Sequence, residues 1–499
     1  MQKMAISIIS LLKIFFLQFL TLSIFRQSTC SDLKYIYNRN LLPLLITAML
    51  IFVIVPNYWI ALLLLFFTMI FFGRMDDHSP GVFLFLVSIS PSFSFTWMIG
   101  STQVIDITTQ MVLGLAAIVV MITNPSKSHK TSGRLWPIVL FFAVFDCYSN
   151  ARGSSLTNVF RELMQTLVTL VLPVVAMINL TSRVRDFRVF IIYGLATAAT
   201  LTAILLFESF NGWSVYRSVY AHVGLPPVWD EVRWRDGLLR ASGPIMEATS
   251  MGFVMALFAI FAWCSRGAVR SKGWRYVITA IVLCGVYVTQ SRNPWVGLSV
   301  ALAAYVIFWK MNKTDRWAGY VIAVLIATSA ITVVFNMENS TTNNGANGES
   351  TLQYRKRLFD RGIEEVIKNP VFGTELKNVK KQMNDLTQGE GIIDFVNSYL
   401  YVALVTGASG LMLFILTLLN VPAYIWSRRK HDQYSDKYGM LSFGFCISIA
   451  TITMVFFTFF FSGIIAVYLM LLATLVWTQQ QSKQLRLIDS GLSSPDSSY

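Results

Sequence analysis

The chain has 499 residues, of which 55% are hydrophobic, 14% aromatic and only 13% charged, and its mean hydropathy is +0.58. This balance excludes an ordinary soluble domain. The formal net charge of +14 comes from basic residues dispersed between apolar runs, which argues against a continuous basic stripe for nucleic acid. The sequence therefore predicts an integral membrane protein that binds no nucleic acid.

Apolar runs long enough to cross a hydrocarbon core of about 30 Å recur along the chain. Alternation of the barrel type is absent, so the sequence predicts an all-α integral membrane protein, a polytopic helical bundle forming a single domain over residues 1–499. About fourteen spans, within a range of about 12–15, are expected. They lie near 41–55, 57–73, 81–99, 104–123, 136–148, 163–180, 188–207, 245–264, 275–290, 293–309, 318–336, 398–425, 440–457 and 459–477.

The two chain ends differ from the central spans. Residues 4–24 are apolar but carry Lys13, and no small-residue cleavage site follows, which predicts an uncleaved interfacial helix or an extra span. The Ser-rich end, 480–499, is predicted to be a disordered cytoplasmic tail. Five cysteines are scattered without paired spacing, so no disulfide framework is predicted.

Basic residues collect in alternate short loops, and the face that carries them is predicted to be cytoplasmic. They are Lys127, Lys130, Arg134, Arg183, Arg185, Arg188, Arg266, Arg270, Lys272, Arg275, Lys310, Lys313, Arg316, Arg428, Arg429, Lys430 and Lys437. Two long loops, 208–243 and 337–397, then lie on the extracytoplasmic side. The aromatic residues of the first loop suit either carbohydrate faces or the lipid boundary.

The second long loop is expected to contain an amphipathic helix near 351–368, which ends at Asn369-Pro370. This helix carries Arg355, Arg357 and Arg361. Two interpretations are open for these arginines. They bind an anionic substrate, or they belong to a solvated surface helix whose acids, Asp360, Glu364 and Glu365, pair with them.

The stretch TQSRNPWVGLSV, residues 289–300, predicts a tight hairpin between two short spans. Spans of about 16 and 17 residues reach only about 25 Å at helical rise, so Arg292 is expected slightly below the membrane surface. An arginine at that depth faces a polar cavity with a partner, or it snorkels to lipid headgroups. Because neither span contains Asp or Glu, the cavity interpretation favours a phosphate partner, whose oxygens guanidinium binds in bidentate fashion.

A second arginine, Arg240, stands in LLRASGPIMEATSMGF, just before an apolar helix. Gly243-Pro244 shapes the helix entry, and Glu247 follows one turn later. The predicted topology assigns Arg240 and Arg292 to the same extracytoplasmic end of the helical bundle. The sequence therefore predicts a site for a lipid-linked phosphate at this end.

Four stretches together resemble the bacterial O-antigen ligase and O-antigen/exopolysaccharide polymerase superfamily. RASGPIMEATSMGF resembles its arginine-plus-glycine entry to a central span, and TQSRNPWVGLSV resembles its Ser-Arg-Gly hairpin. RLFDRGIEEVIKNPVFGTE resembles its arginine helix ending in Pro-x-x-Gly, and VNSYLYVALVTGASGLMLF resembles its His-Asn-x-Tyr-Leu segment followed by Gly-x-x-Gly. The resemblance covers about residues 235–425.

The resemblance implies a GT-C-like, inverting glycosyltransferase of the bacterial inner membrane that works on the periplasmic face without metal or other cofactor. Its donor would be an undecaprenyl-pyrophosphate-linked oligosaccharide, and chain-length regulators or export proteins are the further partners implied. Arg240 and Arg292 are the residues expected to stabilise the leaving pyrophosphate. Arg235, Arg355, Arg357 and Arg361 are expected to bind substrate.

One departure bears on the reaction: the chain has Val396 before Asn397, where ligases of the family carry a histidine, their proposed general base. This favours a polymerase over a ligase. The candidate general base is then Asp394 or Glu247. The alternative interpretation of Asp394 is a solvated loop acid. Asn397 and Tyr399 are expected to position sugars.

Two alternatives from other classes stay open on the sequence. RMDDHSPG, residues 74–81, contains an acidic pair that could hold a divalent ion, although the predicted topology places it in the cytoplasm. A non-enzymatic flippase for lipid-linked oligosaccharide would also need cationic cavities. The chain shows no internal repeat of the kind that transporters often have, which favours the enzyme.

Overall fold

The computed structural model describes residues 8–75, 77–99, 102–124, 136–226, 233–235, 237–310, 351–387, 393–432, 439–458, 471 and 473. Within these ranges, four helices are long and apolar enough to cross a membrane: Ser31–Ile54, Leu156–Thr181, Phe187–Asn211 and Ser398–Ser427. Seven shorter apolar helices accompany them. The helical membrane class is thus confirmed, while the count of about fourteen spans stays a prediction. The predicted spans 318–336 and, almost wholly, 459–477 lie outside the described residues.

The described elements follow one another along the chain with few long connections. The helices are α1 (Ile8–Ser28), α2 (Leu42–Ile54), α3 (Tyr58–Phe72), α4 (Ser79–Ile89), α5 (Thr109–Thr123), α6 (Trp136–Ala151), α7 (Leu156–Thr166), α8 (Leu172–Thr181), α9 (Phe187–Asn211), α10 (Val215–His222), α11 (Ala248–Cys264), α12 (Lys272–Val288), α13 (Asn293–Lys310), α14 (Thr351–Lys368), α15 (Leu376–Gln382), α16 (Ser398–Asp432) and α17 (Met440–Met454). The strands are β1 (Ser94–Ile99), β2 (Thr102–Thr108), β3 (Trp234–Arg235) and β4 (Leu238–Leu239).

Helices α9 and α11 form the centre of the bundle. Both are apolar all round, and nearly every residue of each is buried, as expected for helices enclosed on all sides. Helices α1, α4 and α12 pack on α9, while α12, α13 and α17 pack on α11. The residues next to the ends of α9 and α11 are consequently attached to two deeply buried helices of the described bundle.

The prediction of two spans at 81–99 and 104–123 was wrong at their facing ends. Helix α4 ends at Ile89, and β1 pairs with β2 in an antiparallel hairpin before α5 begins. Both strands are rich in β-branched and aromatic residues, which favour strands. Hydropathy does not distinguish such a strand from a helix of similar composition.

The N-terminal helix α1 is part of the bundle. It lies along α9, and its buried side chains include Leu22 and Phe25. Its end is tied down by backbone hydrogen bonds, because Cys30 N–H donates to the Ala268 carbonyl (3.1 Å) and Arg270 N–H to the Ser28 carbonyl (2.8 Å). The choice between an interfacial helix and an extra span stays a prediction.

Both predicted long loops contain ordered elements. Helix α9 continues to Asn211, so residues 208–211 are its last turn, and Gly212 ends it with φ +61. The small ribbon β3–β4 then precedes α11. In the second loop, α14 occupies the range 351–368 that the amphipathic pattern predicts, and α15 follows it.

Candidate active site

The hairpin between α12 and α13 is as tight as its sequence indicates. Helix α12 ends at Val288 and α13 begins at Asn293, and Gln290 in the turn has φ +49, in the left-handed region. Asn293 is only 4% exposed, and its Nδ2 donates to the Phe457 carbonyl (2.5 Å) and to Thr458 Oγ1 (2.8 Å). The turn that carries Arg292 is therefore anchored to the residues that follow α17.

The β3–β4 ribbon brings two further arginines to this turn. Arg235 Nη1 donates to the Gln290 carbonyl (2.8 Å), and Arg240 Nε donates to the Thr289 carbonyl (3.4 Å). The backbone joins them, because Ala241 N–H donates to the Val288 carbonyl (3.1 Å). Arg235 and Arg240 are thus gathered around the turn of Arg292, which lies more than fifty residues later in the sequence.

The electrostatics of Arg240 reflect this gathering. Arg240 is half-buried, and this burial, together with the positive charge of Arg235, lowers its pKa to about 10. The charges of Arg233 and Arg292 act in the same direction, whereas Glu247 opposes them. The guanidinium stays protonated at neutral pH, and among the described charges that act on its pKa the positive ones outnumber the negative one. An anion bound between these arginines would offset that excess.

Glu247 has a structural position at the start of α11. Its carboxylate accepts the backbone N–H of Thr249 (2.7 Å) and that of Ser250, so it caps the helix. Both carboxylate oxygens are engaged in this cap. The general-base role of Glu247 stays a prediction, and its negative charge lies close enough to act on Arg240.

Glu208 is a residue whose place in the site sequence reasoning missed. It is fully buried, and its carboxylate accepts the backbone N–H groups of Val215 (2.9 Å), Ser242 (3.1 Å) and Gly243 (2.9 Å). One side chain therefore ties together the two ends of the loop that carries Arg240. The sequence feature that could have identified Glu208 is its position as an acid in the last turn of an apolar helix. Ionisable residues in such segments usually have a partner and a role.

The start of α16 meets the same end of the bundle. Asn397 Oδ1 accepts the Leu400 N–H (3.1 Å), which caps α16. Ser398 Oγ donates to the Thr458 carbonyl (2.6 Å), and the Tyr399 hydroxyl donates to the Ile452 carbonyl (2.8 Å). Since Thr458 also accepts from Asn293, the 397–399 segment and the arginine turn share one anchor. The sugar-positioning roles of Asn397 and Tyr399 stay predictions.

Asp394 connects this end to the external helix α14. Its backbone N–H donates to the Tyr354 hydroxyl (3.1 Å), which in turn donates to the Asp394 carbonyl (3.3 Å). The Asp394 side chain is exposed. Arg355, the next residue after Tyr354, is half-buried. These two hydrogen bonds hold the backbone at Asp394 against α14, next to Arg355.

The other two arginines of α14 make contacts within the external segment. Arg357 Nη2 donates to the Asp385 carbonyl (3.1 Å), and Arg361 Nη1 pairs with Glu364 (2.7 Å). Arg361 Nε also lies 3.8 Å from the Asp385 carboxylate. These pairs agree with the surface-helix interpretation for Arg361. Substrate binding by Arg355, Arg357 and Arg361 stays a prediction.

The metal-site alternative at 74–81 falls on residues with structural contacts. Asp77 Oδ1 accepts the backbone N–H groups of Arg185 (2.6 Å) and Asp186 (3.3 Å). His78 is buried, and its Nδ1 lies 3.1 Å from the Tyr193 hydroxyl oxygen. Asp76 lies outside the described residues. Among the side chains that the structure describes, no three His, Cys, Asp or Glu residues form a group suited to a metal ion.

Comparison with known families agrees with this arrangement. Residues 277–415 match the family model described as O-Antigen ligase, whereas a search of curated proteins gave no match. The matched segment contains the arginine hairpin, the external helix α14 and the first part of α16, whereas Arg235, Arg240 and Glu208 precede it. The match over residues 277–415 supports the O-antigen ligase and polymerase superfamily.

Proposed function

We propose that the protein polymerises undecaprenyl-pyrophosphate-linked oligosaccharide repeat units by an inverting, metal-independent glycosyl transfer on the periplasmic face of the bacterial inner membrane. The observation that carries this proposal is the gathering of Arg235 and Arg240 on the turn that holds Arg292. Guanidinium groups in a partly dehydrated site bind diphosphate oxygens strongly. The family match supports the general reaction class.

In the proposed reaction, a hydroxyl oxygen of the acceptor glycan attacks the anomeric carbon of the donor from the face opposite the lipid diphosphate. The bond between that carbon and the diphosphate oxygen breaks, and its electron pair leaves with the diphosphate. Arg240 and Arg292 stabilise the charge that accumulates there, and Arg235 helps to bind the donor. Because these groups are pre-placed and partly dehydrated, they act more strongly than they would in water.

The proton of the attacking hydroxyl needs a base, for which Asp394 and Glu247 are the candidates. Both Glu247 oxygens cap α11, whereas the Asp394 carboxylate is exposed beside the start of α16. The geometry therefore favours Asp394 for the base, with Glu247 tuning the charge of Arg240. Arg355, Arg357, Arg361, Asn397 and Tyr399 complete the proposed contacts to the glycan and its phosphates.

Polymerisation is preferred to ligation because Val396 stands where ligases of the family carry a histidine. The description of the matching family as O-Antigen ligase supports the second candidate, transfer of the lipid-linked glycan to a different acceptor. A ligase and a polymerase share the donor and the leaving group. They differ in the acceptor, so the products distinguish them.

The test uses purified full-length protein in lipid vesicles with lipid-linked repeat units and a chelator. A ladder of longer lipid-linked glycans, together with free undecaprenyl pyrophosphate, is expected. Single transfer that requires a different added acceptor would establish the ligase instead. Movement of donor across the vesicle membrane without diphosphate release would establish a flippase and overturn the enzyme proposal.

A further inference from the structure

The external segment, residues 351–387, is joined to α16 where that helix is broken. Gly407 has φ +70 inside α16, so the helix is interrupted there. The chain at Pro370–Gly373 enters the interruption: Thr374 N–H donates to the Leu404 carbonyl (2.7 Å), and Ala408 N–H donates to the Pro370 carbonyl (2.7 Å). The Pro-x-x-Gly and Gly-x-x-Gly motifs thus form one joint, which we call the Gly373–Gly407 joint.

The two glycines allow the backbones to approach this closely. A Cβ atom on Gly373, which has φ +64, would lie 2.5 Å from the carbonyl carbon of Val405. A Cβ atom on Gly407 would lie 2.4 Å from the carbonyl carbon and oxygen of Val371. Glycine is the residue that tolerates both the positive φ and the contact. The joint is therefore specified by these two residues.

Arg152, from the turn between α6 and α7, bridges the two sides of the joint. Its Nη1 donates to the Phe372 carbonyl of the external segment (2.6 Å) and to the Val405 carbonyl of α16 (3.1 Å). Its guanidinium carbon lies 5.4 Å from the centre of the Tyr148 ring, a cation–π arrangement. One side chain thus contacts the bundle, the broken helix and the external segment.

The break in α16 explains why a cation is suited to this place. An interrupted helix leaves carbonyls that can no longer accept intrahelical bonds, and in a membrane protein they must be satisfied internally. Val405 is buried in α16, and its carbonyl is one that Arg152 satisfies. Hydrogen bonds from a charged donor are stronger than neutral ones, so Arg152 stabilises the joint more than a neutral side chain would.

We infer that Arg152 is a positioning residue, which locks the external segment onto the broken helix and thereby sets the place of the α14 arginines over the site. This inference rests on the proposed function for its effect on substrate affinity. Its mechanical part, the locking of the external segment, does not depend on that function. Arg152 itself contacts carbonyls and a ring, not the reacting atoms.

The experiment compares Arg152→Ala and Gly407→Ala with the matched controls Arg161→Ala, whose guanidinium pairs with Glu162 on α7, and Gly273→Ala, whose added Cβ would meet only Ser271 Oγ at 3.9 Å. Trypsin reports whether the external segment is docked, because α15 exposes three lysines: Lys377, Lys380 and Lys381. Steady-state kinetics with lipid-linked repeat units report affinity and turnover separately.

For Arg152→Ala and Gly407→Ala we expect faster cleavage at the α15 lysines and a KM that rises about tenfold, while kcat changes by less than about threefold. Arg152→Lys, which keeps the charge but not the planar guanidinium, should fall between wild type and Arg152→Ala. Both controls should behave as wild type does. This pattern would support the lock.

Two results would overturn the inference. Cleavage of Arg152→Ala and Arg152→Lys at the wild-type rate would mean that Arg152 does not hold the segment. A fall in kcat at unchanged KM would mean that Arg152 acts on the reacting groups. If the wild-type protein makes no polymer, the proposed function fails by itself, and the cleavage measurement still decides whether Arg152 locks the joint.

Discussion

The guanidinium of Arg240 donates to the carbonyl of Thr289 (3.4 Å), three residues before Arg292, and the charge of Arg292 helps to depress the pKa of Arg240. Two arginines separated by more than fifty residues therefore act on each other at one turn. Like charges held close to each other repel, and an anion bound between them would relieve that repulsion. A lipid diphosphate is an anion of the kind that this arrangement would favour.

Arg240→Ala and Arg292→Ala are each expected to lower polymer formation by about 100-fold or more, the usual effect of removing one donor that stabilises transition-state charge. Membrane insertion should be unchanged. The measurement is polymer per mole of purified protein, with Arg270→Ala as the matched control because the Arg270 side chain is exposed and lies outside the site. Normal polymer from both site variants would remove the catalytic assignment.

The pH dependence should report the depressed pKa of Arg240. Because its pKa is lowered to about 10, wild type should bind inorganic pyrophosphate more tightly than Arg240→Ala does, and this advantage should shrink as the pH rises through about 10, where the guanidinium loses its proton. The measurement is the ratio of the two inhibition constants at each pH, which cancels the titration of pyrophosphate itself. The folded protein without anion should become relatively more stable than Arg240→Ala over the same rise, since burying the charged form is unfavourable. A ratio that does not change up to about pH 11 would contradict this prediction.

Glu208→Gln should disorder the loop that carries Arg240. The carboxylate accepts backbone N–H groups on both of its oxygens, and a glutamine would turn its own NH2 donor toward one of these donors. A loss of about 1–3 kcal/mol of stability is expected, with at least tenfold lower activity. Thermal unfolding in detergent and the polymer assay measure the two effects.

The control for Glu208→Gln is Glu364→Gln, which neutralises an exposed acid paired with Arg361. It should unfold within about 0.5 kcal/mol of wild type, as surface substitutions usually do. If Glu208→Gln were equally harmless, the buried carboxylate would not be what holds the loop.

Asp394→Asn and Glu247→Gln should separate the two candidate bases. If Asp394 takes the proton, Asp394→Asn should lower kcat by about 100-fold, within the usual range for general-base catalysis, with little change in KM. Glu247→Gln should mainly weaken the cap of α11, by about 1 kcal/mol. Single-turnover kinetics and thermal unfolding are the measurements. A large kcat effect for Glu247→Gln alone would reverse the assignment.

Properties that depend on local pattern could be predicted from the sequence. The amphipathic spacing located α14 at 351–368, and the short polar break between two apolar runs located the hairpin at Arg292. The hairpin β1–β2 could not be separated from helix by hydropathy, because β-branched apolar residues occur in both. Local pattern thus determined which segments are apolar, but not always their backbone conformation.

The sequence by itself determined that this is a helical membrane protein with cationic segments at the ends of its helices, because hydropathy, charge and turn residues act over a few positions. Only the tertiary structure decided that Arg240 meets the turn of Arg292, that Glu208 ties together the loop that carries Arg240, and that Gly373 docks at Gly407 beside Arg152. These are contacts between residues distant in the chain. Their energies depend on packing, burial and backbone approach, which no local pattern contains.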